Sequence, residues 1–345
     1  MKVGMYYRNS DVRIEERPVP PVGPGDVLIR VVAAGICGSD ILEWYRMKRA
    51  PLVLGHEIAG EVVQVGPAVK SVGPGDRVFA THHVPCDACR TCLTGHQTAC
   101  EAFHTVNNFS PGGFAEFLRV SGRTVATGML RLPEGVSFVE GSFIEPLGTV
   151  VRGMRALAPA PGDTVLVIGA GVAGLLMIRL ARALGAGRIL ATDPFPFRRK
   201  AAVASGADAA FAPSDSLADE VRKAGGGRSA DRVVIAAGSL PAMRQALSCV
   251  EKGGRVLIFA VPMPGETLPV DFNPFWRNDI TFATSYGAAP LDNLQALELI
   301  RAKRVAVADL VTHRLPLDRI GEGFLAAAKG EDCLKVIIEP HGTTS

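Results

Sequence analysis

Aromatic side chains are scarce in this chain, with two Trp, four Tyr and 15 Phe among 345 residues. Glycine, by contrast, occurs 38 times. A composition poor in rings and rich in tight-turn residues speaks against an all-β sandwich and for an α/β fold. Charge of one sign is lacking as well. The 37 Lys and Arg stand against 34 Asp and Glu, a formal net charge of +3, and the two signs are interspersed. Neither a nucleic-acid surface nor a polybasic membrane anchor is expected from that balance. Long hydrophobic runs are missing too. The most apolar stretch, residues 165–178, is interrupted by Gly169, Gly171 and Gly174 and stops at Arg179, too short to span a bilayer. The opening residues, with Lys2 and Arg8, hold no apolar core of the kind an export signal needs. The expectation is a soluble, cytoplasmic protein with a small-molecule partner and neither nucleic acid nor membrane.

What is present divides the chain. Its length and 48% apolar content suit two domains better than one core. The first third alternates short apolar runs, at 27–32, 61–65 and 77–79, with turn sequences such as Gly23-Pro24-Gly25-Asp26 and Gly73-Pro74-Gly75-Asp76. That pattern predicts a compact β-rich domain. Beyond Pro161-Gly162-Asp163, strands expected at 165–168, 188–191, 233–235 and 256–259 alternate with Ala/Leu-rich helical stretches. Such alternation marks a parallel sheet wrapped by helices. After Gly287 the sequence reads helical again and closes on a strand at 335–338.

The strand ending at Ile168 runs directly into Gly169-Ala170-Gly171-Val172-Ala173-Gly174 and then a helical stretch. Glycine-rich turns are common, but here strand, turn, helix, second strand and Asp193 follow in the order a dinucleotide site requires. Gly169 allows the tight turn, Gly171 lets backbone approach a pyrophosphate, and Gly174 lets helix and strand pack closely. Val172 and Ala173 open the helix whose unpaired N–H groups face the phosphates. Asp193 is expected to accept hydrogen bonds from the adenosine ribose and so favour NAD. Arg198 and Arg199, close behind, leave NADP open. The alternative is an α/β turn without a ligand.

Cysteine placement is uneven. Of seven, Cys86, Cys89, Cys92 and Cys100 form a C-x2-C-x2-C-x7-C cluster, while Cys37, Cys249 and Cys333 stand alone. Four thiolates at this spacing can close a tetrahedron around zinc with every position filled, a structural rather than a catalytic arrangement. Two disulfides, or a nucleic-acid-binding zinc ribbon, are the competing readings; the expected compartment argues against the first and the modest charge against the second. Further candidates are scattered: Cys37, the pair His56-Glu57, and Glu145. Singly, these read as a small buried hydrophobe, a satisfied core histidine and a helix-start carboxylate, and no spacing rule joins them.

The segments Gly35-Ile36-Cys37-Gly38-Ser39-Asp40, Gly55-His56-Glu57-Ile58-Ala59-Gly60-Glu61-Val62, Gly112-Gly113-Phe114-Ala115-Glu116-Phe117 and Glu145-Pro146-Leu147 do have a common context. Together with the cysteine loop and the glycine turn, their order resembles the zinc-containing medium-chain dehydrogenase/reductase superfamily. The resemblance runs over essentially the whole chain and is strongest to the polyol (sorbitol) and threonine dehydrogenase-like branches. It implies a GroES-like catalytic domain from residues 1–148 and 288–345, and a Rossmann NAD-binding domain from 149–287. It implies two zinc ions per subunit. Cys37, His56 and Glu57 would hold the catalytic one, with Glu145 ligating directly, through water, or in exchange with Glu57. Asp40 would orient the imidazole, and Ser39 would bridge the substrate oxygen to the cofactor ribose. The activity implied is oxidation of a secondary alcohol (a polyol, cyclitol or sugar alcohol) to a ketone.

One departure stands out. Relatives place a relay histidine five residues after the ligand cysteine, where this chain has Leu42. The proton would then leave through a ribose hydroxyl, water, or His82 or His83, which otherwise read as surface loop residues. Near the expected cleft, Trp44, Tyr45 and Phe109 are candidate substrate contacts, and Phe109 and Phe114 read equally as pocket wall or as core. Arg46, Lys48 and Arg49 leave room for an anionic substrate such as a polyol phosphate or a hydroxy amino acid. A zinc-free reductase, or a non-catalytic zinc-stabilised nucleotide-binding protein, would be expected to have lost the Cys37/His56 ligands. The resemblance also implies a homo-oligomer, tetramer before dimer, with residues 280–286 near the subunit contact.

Overall fold

The computed structural model describes residues 1–342. The chain forms two compact units, Met1–Gly148 joined by the segment from Ala288 onward, and Thr149–Gly287.

The first unit is built on the strand Val27–Gly35, whose apolar residues are nearly all buried. It pairs antiparallel with Glu57–Val65, with Phe117–Val120 and with the C-terminal Lys335–Glu339. Glu57–Val65 pairs onward with Arg77–Ala80, and that strand with Met129–Arg131. Val311–Pro316 flanks Lys335–Glu339 in parallel; this strand is hidden in sequence because His313 and Arg314 break its apolar run. A three-stranded sheet of Asp11–Glu16, Lys2–Arg8 and Leu52–Val53 completes the unit. Tyr6, Ile29, Ile58, Leu118, Phe114 and Phe324 fill its core. Full burial of each such side chain contributes roughly 1.5–3 kcal/mol. Phe114, edge-on to Phe324 with ring centroids 5.7 Å apart, belongs to this core.

Two of the expected strands extend further toward each other than their apolar runs suggest. Val27–Gly35 and Glu57–Val65 face one another with Gly35 opposite Glu57. Cys37, just past one strand, and His56, just before the other, are thereby brought to the same end of the ladder. Lys335–Glu339 sets Ile337 opposite Gly35, and the Ile36 N–H donates to the Val336 carbonyl at 3.0 Å. The start of the final strand therefore joins that same end.

The second unit is a six-stranded sheet in the order Ala209–Phe211, Arg188–Thr192, Thr164–Ile168, Ala230–Ile235, Val250–Ile258, Thr281–Thr284. Every pairing in it is parallel. With the first strand central and the order reversing between it and the fourth, this is the dinucleotide-type arrangement, in which the crevice lies at the carboxyl ends of those two strands. Thr164–Ile168 is buried at every position, as a strand covered on both faces must be. The short Ala209–Phe211 strand carries too little apolar pattern to be read from sequence. The chain thus has the α/β fold class its composition implied: a GroES-like β-rich part and a doubly wound parallel sheet.

Candidate functional site

At the switch point of the second unit, Gly169 adopts φ +100°, a conformation that favours glycine. A Cβ on Gly174 would run into the Gly169 carbonyl oxygen, so that position tolerates only glycine for internal reasons. Gly171 differs. Its nearest neighbour to a built Cβ is Arg198 Nη1 at 4.0 Å, and its φ of −69° is ordinary. Nothing in the chain demands glycine there, which suits a backbone surface kept clear for a ligand. Helix Val172–Ala183 starts at this point with no side-chain cap on its first N–H groups, leaving them for an anion.

Asp193 is buried beside the turn. Its Oδ2 accepts from the Ala170 N–H at 2.8 Å and its Oδ1 from the Phe195 N–H at 2.9 Å. The carboxylate therefore splints the glycine turn to the next loop, a role sequence reading did not foresee. Arg199 donates through Nη1 to the Asp193 and Pro194 carbonyls, each at 2.8 Å. Arg198 has a buried Nε with no partner among the described residues, and its guanidinium lies 5.2 Å above the Phe195 ring. Of the two arginines, Arg198 is the one placed before the turn.

In the first unit, Cys37 Sγ, a His56 ring nitrogen and a Glu57 carboxylate oxygen all lie within 4.8 Å of one another. His56 and Glu57 are buried and Cys37 half-buried. Asp40, fully buried, sits directly behind them. Its Oδ2 accepts the Cys37 N–H at 3.0 Å, and its Oδ1 lies 3.5 Å from His56 Nδ1. Burial alone would push the Asp40 carboxyl up. The facing His56, the Arg46 guanidinium and the Cys37 N–H outweigh it and hold the group below its ordinary range. His56 shows the converse balance: burial opposes its charge, yet Asp40 and the neighbouring Cys37 sulfur raise it well above an ordinary imidazole.

Glu145 is buried next to the trio at the start of helix Ile144–Leu157. Burial, His56 and Glu57 together set its carboxyl at about 7. It lies outside the group of three that could grip one ion. Lys335, which sequence reading missed, is buried and donates to Glu57 Oε2 and, at 3.1 Å, to the Ile36 carbonyl. No sequence pattern marks a lysine at the start of a strand as interior; only the ladder register does.

Residues 39–46 fold back on this site. Ser39 Oγ accepts from Arg46 Nη2 at 2.9 Å. Arg46 is thus spent on the site's own groups, and its expected availability to a substrate anion is not what the structure shows. Lys48 Nζ stands 5.7 Å over the half-buried Trp44 ring, and Tyr45 is exposed. Leu42 is exposed also. His82 and His83 are half-buried and not simply surface residues: their rings lie 3.7 Å apart, and His82 lies 4.7 Å from His56 and 6.1 Å from the buried Phe109. Burial pushes His82 well below the imidazole range and His83 to about 3. His82 Nδ1 is buried with no partner among the described residues.

Cys86, Cys89, Cys92 and Cys100 converge in a loop region whose own core is little more than Cys92, Cys100 and Phe103. Sulfur separations of 3.5 Å for Cys89–Cys92 and 3.9 Å for Cys86–Cys92 exceed a disulfide's roughly 2.05 Å, and all the cysteines are free. A hydrogen bond from Thr91 draws Cys89 down to about 6, while burial sends Cys92 up to about 12. Only a bound cation would hold all four as thiolates together.

A switch-point glycine turn in one unit and two thiolate-bearing metal-type clusters in the other define a dinucleotide-linked metal oxidoreductase class. The comparisons agree. Residues 23–133 match the alcohol dehydrogenase GroES-like domain family, and 172–302 the zinc-binding dehydrogenase family. The L-threonine 3-dehydrogenase of Caldanaerobacter subterraneus subsp. tengcongensis is 31% identical over 97% of this chain and 97% of its own length. Rattus norvegicus sorbitol dehydrogenase is 32% identical over 96% and 93%. The alcohol dehydrogenase TADH from Thermus sp. ATN1 superposes with a TM-score of 0.87 at 30% identity, covering 98% of this chain and 99% of that one. The chain belongs to the zinc-containing medium-chain dehydrogenase/reductase superfamily, related to its polyol and threonine dehydrogenase branches.

Proposed function

We propose that this protein is a zinc-dependent, NAD-linked dehydrogenase that oxidises a secondary alcohol, a polyol, cyclitol or related sugar alcohol, to a ketone. The observation that carries the reading is the convergence of Cys37, His56 and Glu57 within 4.8 Å, backed by Asp40. One thiolate, one imidazole and a carboxylate are a donor set suited to zinc. Zinc bound there would supply Lewis acidity, lowering the pKa of a coordinated hydroxyl toward neutrality, roughly 7 for water in comparable sites. Cys37, His56 and Glu57 hold the ion, and Glu145 stands by as a further or exchanging ligand. Asp40 fixes the His56 ring, and Ser39 carries the proton away from the substrate oxygen. With Leu42 in place of a relay histidine, that proton ends on water or a ribose hydroxyl. His82 and His83, kept neutral by burial, are poor alternatives.

Cys86, Cys89, Cys92 and Cys100 would hold a second, structural zinc. Gly169, Gly171, Val172, Ala173 and Gly174 would hold NAD, and Asp193 would accept from its adenosine ribose. The unpartnered Arg198 Nε keeps NADP open. Trp44, Tyr45 and Phe109 are the substrate contacts favoured.

Commitment of Arg46 to Ser39 and Asp40 leaves Lys48 and Arg49 as the remaining cations of that loop, which supports a neutral substrate over a phosphorylated or carboxylate-bearing one. The subunits form a homo-oligomer, tetramer before dimer. Support comes from the edge strand Thr281–Thr284 and the exposed Phe272, Trp276 and Tyr286 of the same unit, Trp276 at 80%. Among the described residues no helix is long and apolar enough to cross a membrane, in keeping with a cytoplasmic location. Metal analysis together with a panel of neutral polyols, polyol phosphates, threonine and primary alcohols tests the proposal. Two zinc ions per subunit and NAD reduction by neutral polyols are expected. One zinc, or activity confined to primary alcohols, would refute it.

A further inference from the structure

Arg46 ends the one-turn helix Glu43–Arg46. Its N–H donates to the Leu42 carbonyl at 3.0 Å, Leu42 being the non-helical residue that precedes the turn. The Arg46 side chain turns back toward the preceding loop. Nε donates to the Ser39 carbonyl at 2.9 Å, and Nη2 donates to Ser39 Oγ at 2.9 Å and to Asp40 Oδ1 at 3.2 Å. It is 17% exposed, and the carboxylate it meets is fully buried. The Tyr45 ring lies 4.8 Å below the guanidinium carbon. One planar group therefore grips, at the same time, the hydroxyl proposed to move the proton and the carboxylate that faces His56 Nδ1.

A guanidinium has only donors and stays charged at every working pH. It cannot relay a proton. By donating to Ser39 Oγ it occupies one of the two lone pairs, and the Ser39 O–H must then point elsewhere. By donating to Asp40 Oδ1 it fixes the oxygen that faces the His56 ring. A lysine ammonium, a point charge on a flexible stem, could not meet the Ser39 carbonyl, the Ser39 hydroxyl and Asp40 in one plane.

We propose that Arg46 is a positioning residue that sets the direction in which Ser39 donates and holds Asp40 against His56. This rests on the dehydrogenase reading above. No proton passes through Arg46; the proton leaving Ser39 goes to water or a ribose hydroxyl.

The test compares wild type, Arg46→Ala and Arg46→Lys as full-length, zinc-loaded proteins, with parallel samples carrying cobalt(II) at the catalytic site. With a neutral polyol, Arg46→Ala should lower kcat about 10–100-fold, with KM moving by less than about threefold. Arg46→Lys should be similarly impaired. Millimolar guanidinium ion should restore part of the Arg46→Ala kcat and leave wild type unaffected. The visible cobalt bands should shift in Arg46→Ala, because the His56 ring loses its fixed carboxylate. Unchanged kcat, or an unchanged cobalt spectrum, overturns the proposal. So does a rise in KM confined to phosphorylated or carboxylate-bearing alcohols, which would make Arg46 a reader of substrate charge. If wild type itself oxidises no secondary alcohol, the dehydrogenase reading fails. The cobalt spectrum then decides alone whether Arg46 holds Asp40 and His56. Should Arg46→Ala not fold, Arg46→Lys supplies both readouts.

Discussion

Lys335 and Glu57 form an ion pair sealed inside the first unit, their side chains 2% and 1% exposed. Removing one partner of such a pair leaves an uncompensated charge in the interior, at a cost of roughly 3–5 kcal/mol. Lys335→Met should therefore lower the denaturation midpoint sharply, and adding Glu57→Gln should recover most of the loss. Urea titration of the three proteins checks this. Equal midpoints for Lys335→Met and wild type would show that the pair contributes nothing.

The two glycines of the nucleotide turn should separate cleanly. Gly174→Ala places a methyl group against the Gly169 carbonyl, and overpacking of this kind costs about 1–3 kcal/mol or more. Gly171→Ala meets nothing nearer than 4.0 Å and should fold normally. Its effect should fall on cofactor affinity, weakening NADH binding by about tenfold or more, a loss of about 1.4 kcal/mol. Fluorescence titration with NADH and a thermal melt of each variant distinguish the two.

Cys92→Ser should remove one zinc per subunit and open residues 86–105 to proteolysis, because that lobe has only Cys92, Cys100 and Phe103 as buried core. Cys37→Ser should remove the other zinc, abolish alcohol oxidation and leave the lobe resistant. Metal content and limited trypsin digestion read both outcomes. Identical digestion patterns would contradict the division of labour.

His83 gives the stability curve an acid limb. Its pKa is about 3 in the folded chain, lowered first by burial and then by the charge on His56, against 6.5 ordinarily. Below pH 6.5 the unfolded chain binds a proton that the folded one does not. The stability from this group is complete above pH 6.5 and drains as pH falls toward 3, by up to about 1.4 kcal/mol per pH unit. His83→Phe should flatten the decline between those limits. A denaturation series from pH 7 to 4 with an unaltered slope would show that another group governs it.

If the subunits associate as proposed, Trp276→Lys with Tyr286→Lys should dissociate them without unfolding the subunit, since both side chains are exposed and near in sequence to the edge strand. Sedimentation velocity measures it directly. An unchanged sedimentation coefficient would place the contact elsewhere.

How much of this could be read from the sequence depends on how local each feature is. The glycine turn was legible because strand, turn, helix and acid follow one another within a short stretch. The cysteine knot was legible from spacing alone. Cys37, His56 and Glu57 were linked only through family resemblance, since what joins them is the register that sets Gly35 opposite Glu57. Lys335 was invisible for the same reason, because it arrives from the far end of the chain. Arg46 was seen only as one of three cations that left room for an anionic substrate; its inward turn depends on the one-turn helix after Leu42. His82 and His83 looked like surface residues because nothing local reveals that their rings are stacked.

That stack has a consequence for how the molecule diverges. His83 lies 4.8 Å from Phe103, which rests on Cys92 and Cys100; on its other side come His82 and then His56. The cysteine lobe is therefore joined to the His56 end of the site by an unbroken row of rings, Phe103, His83, His82 and His56. A descendant that discarded the lobe would first have to refill this wall with bulk from another loop.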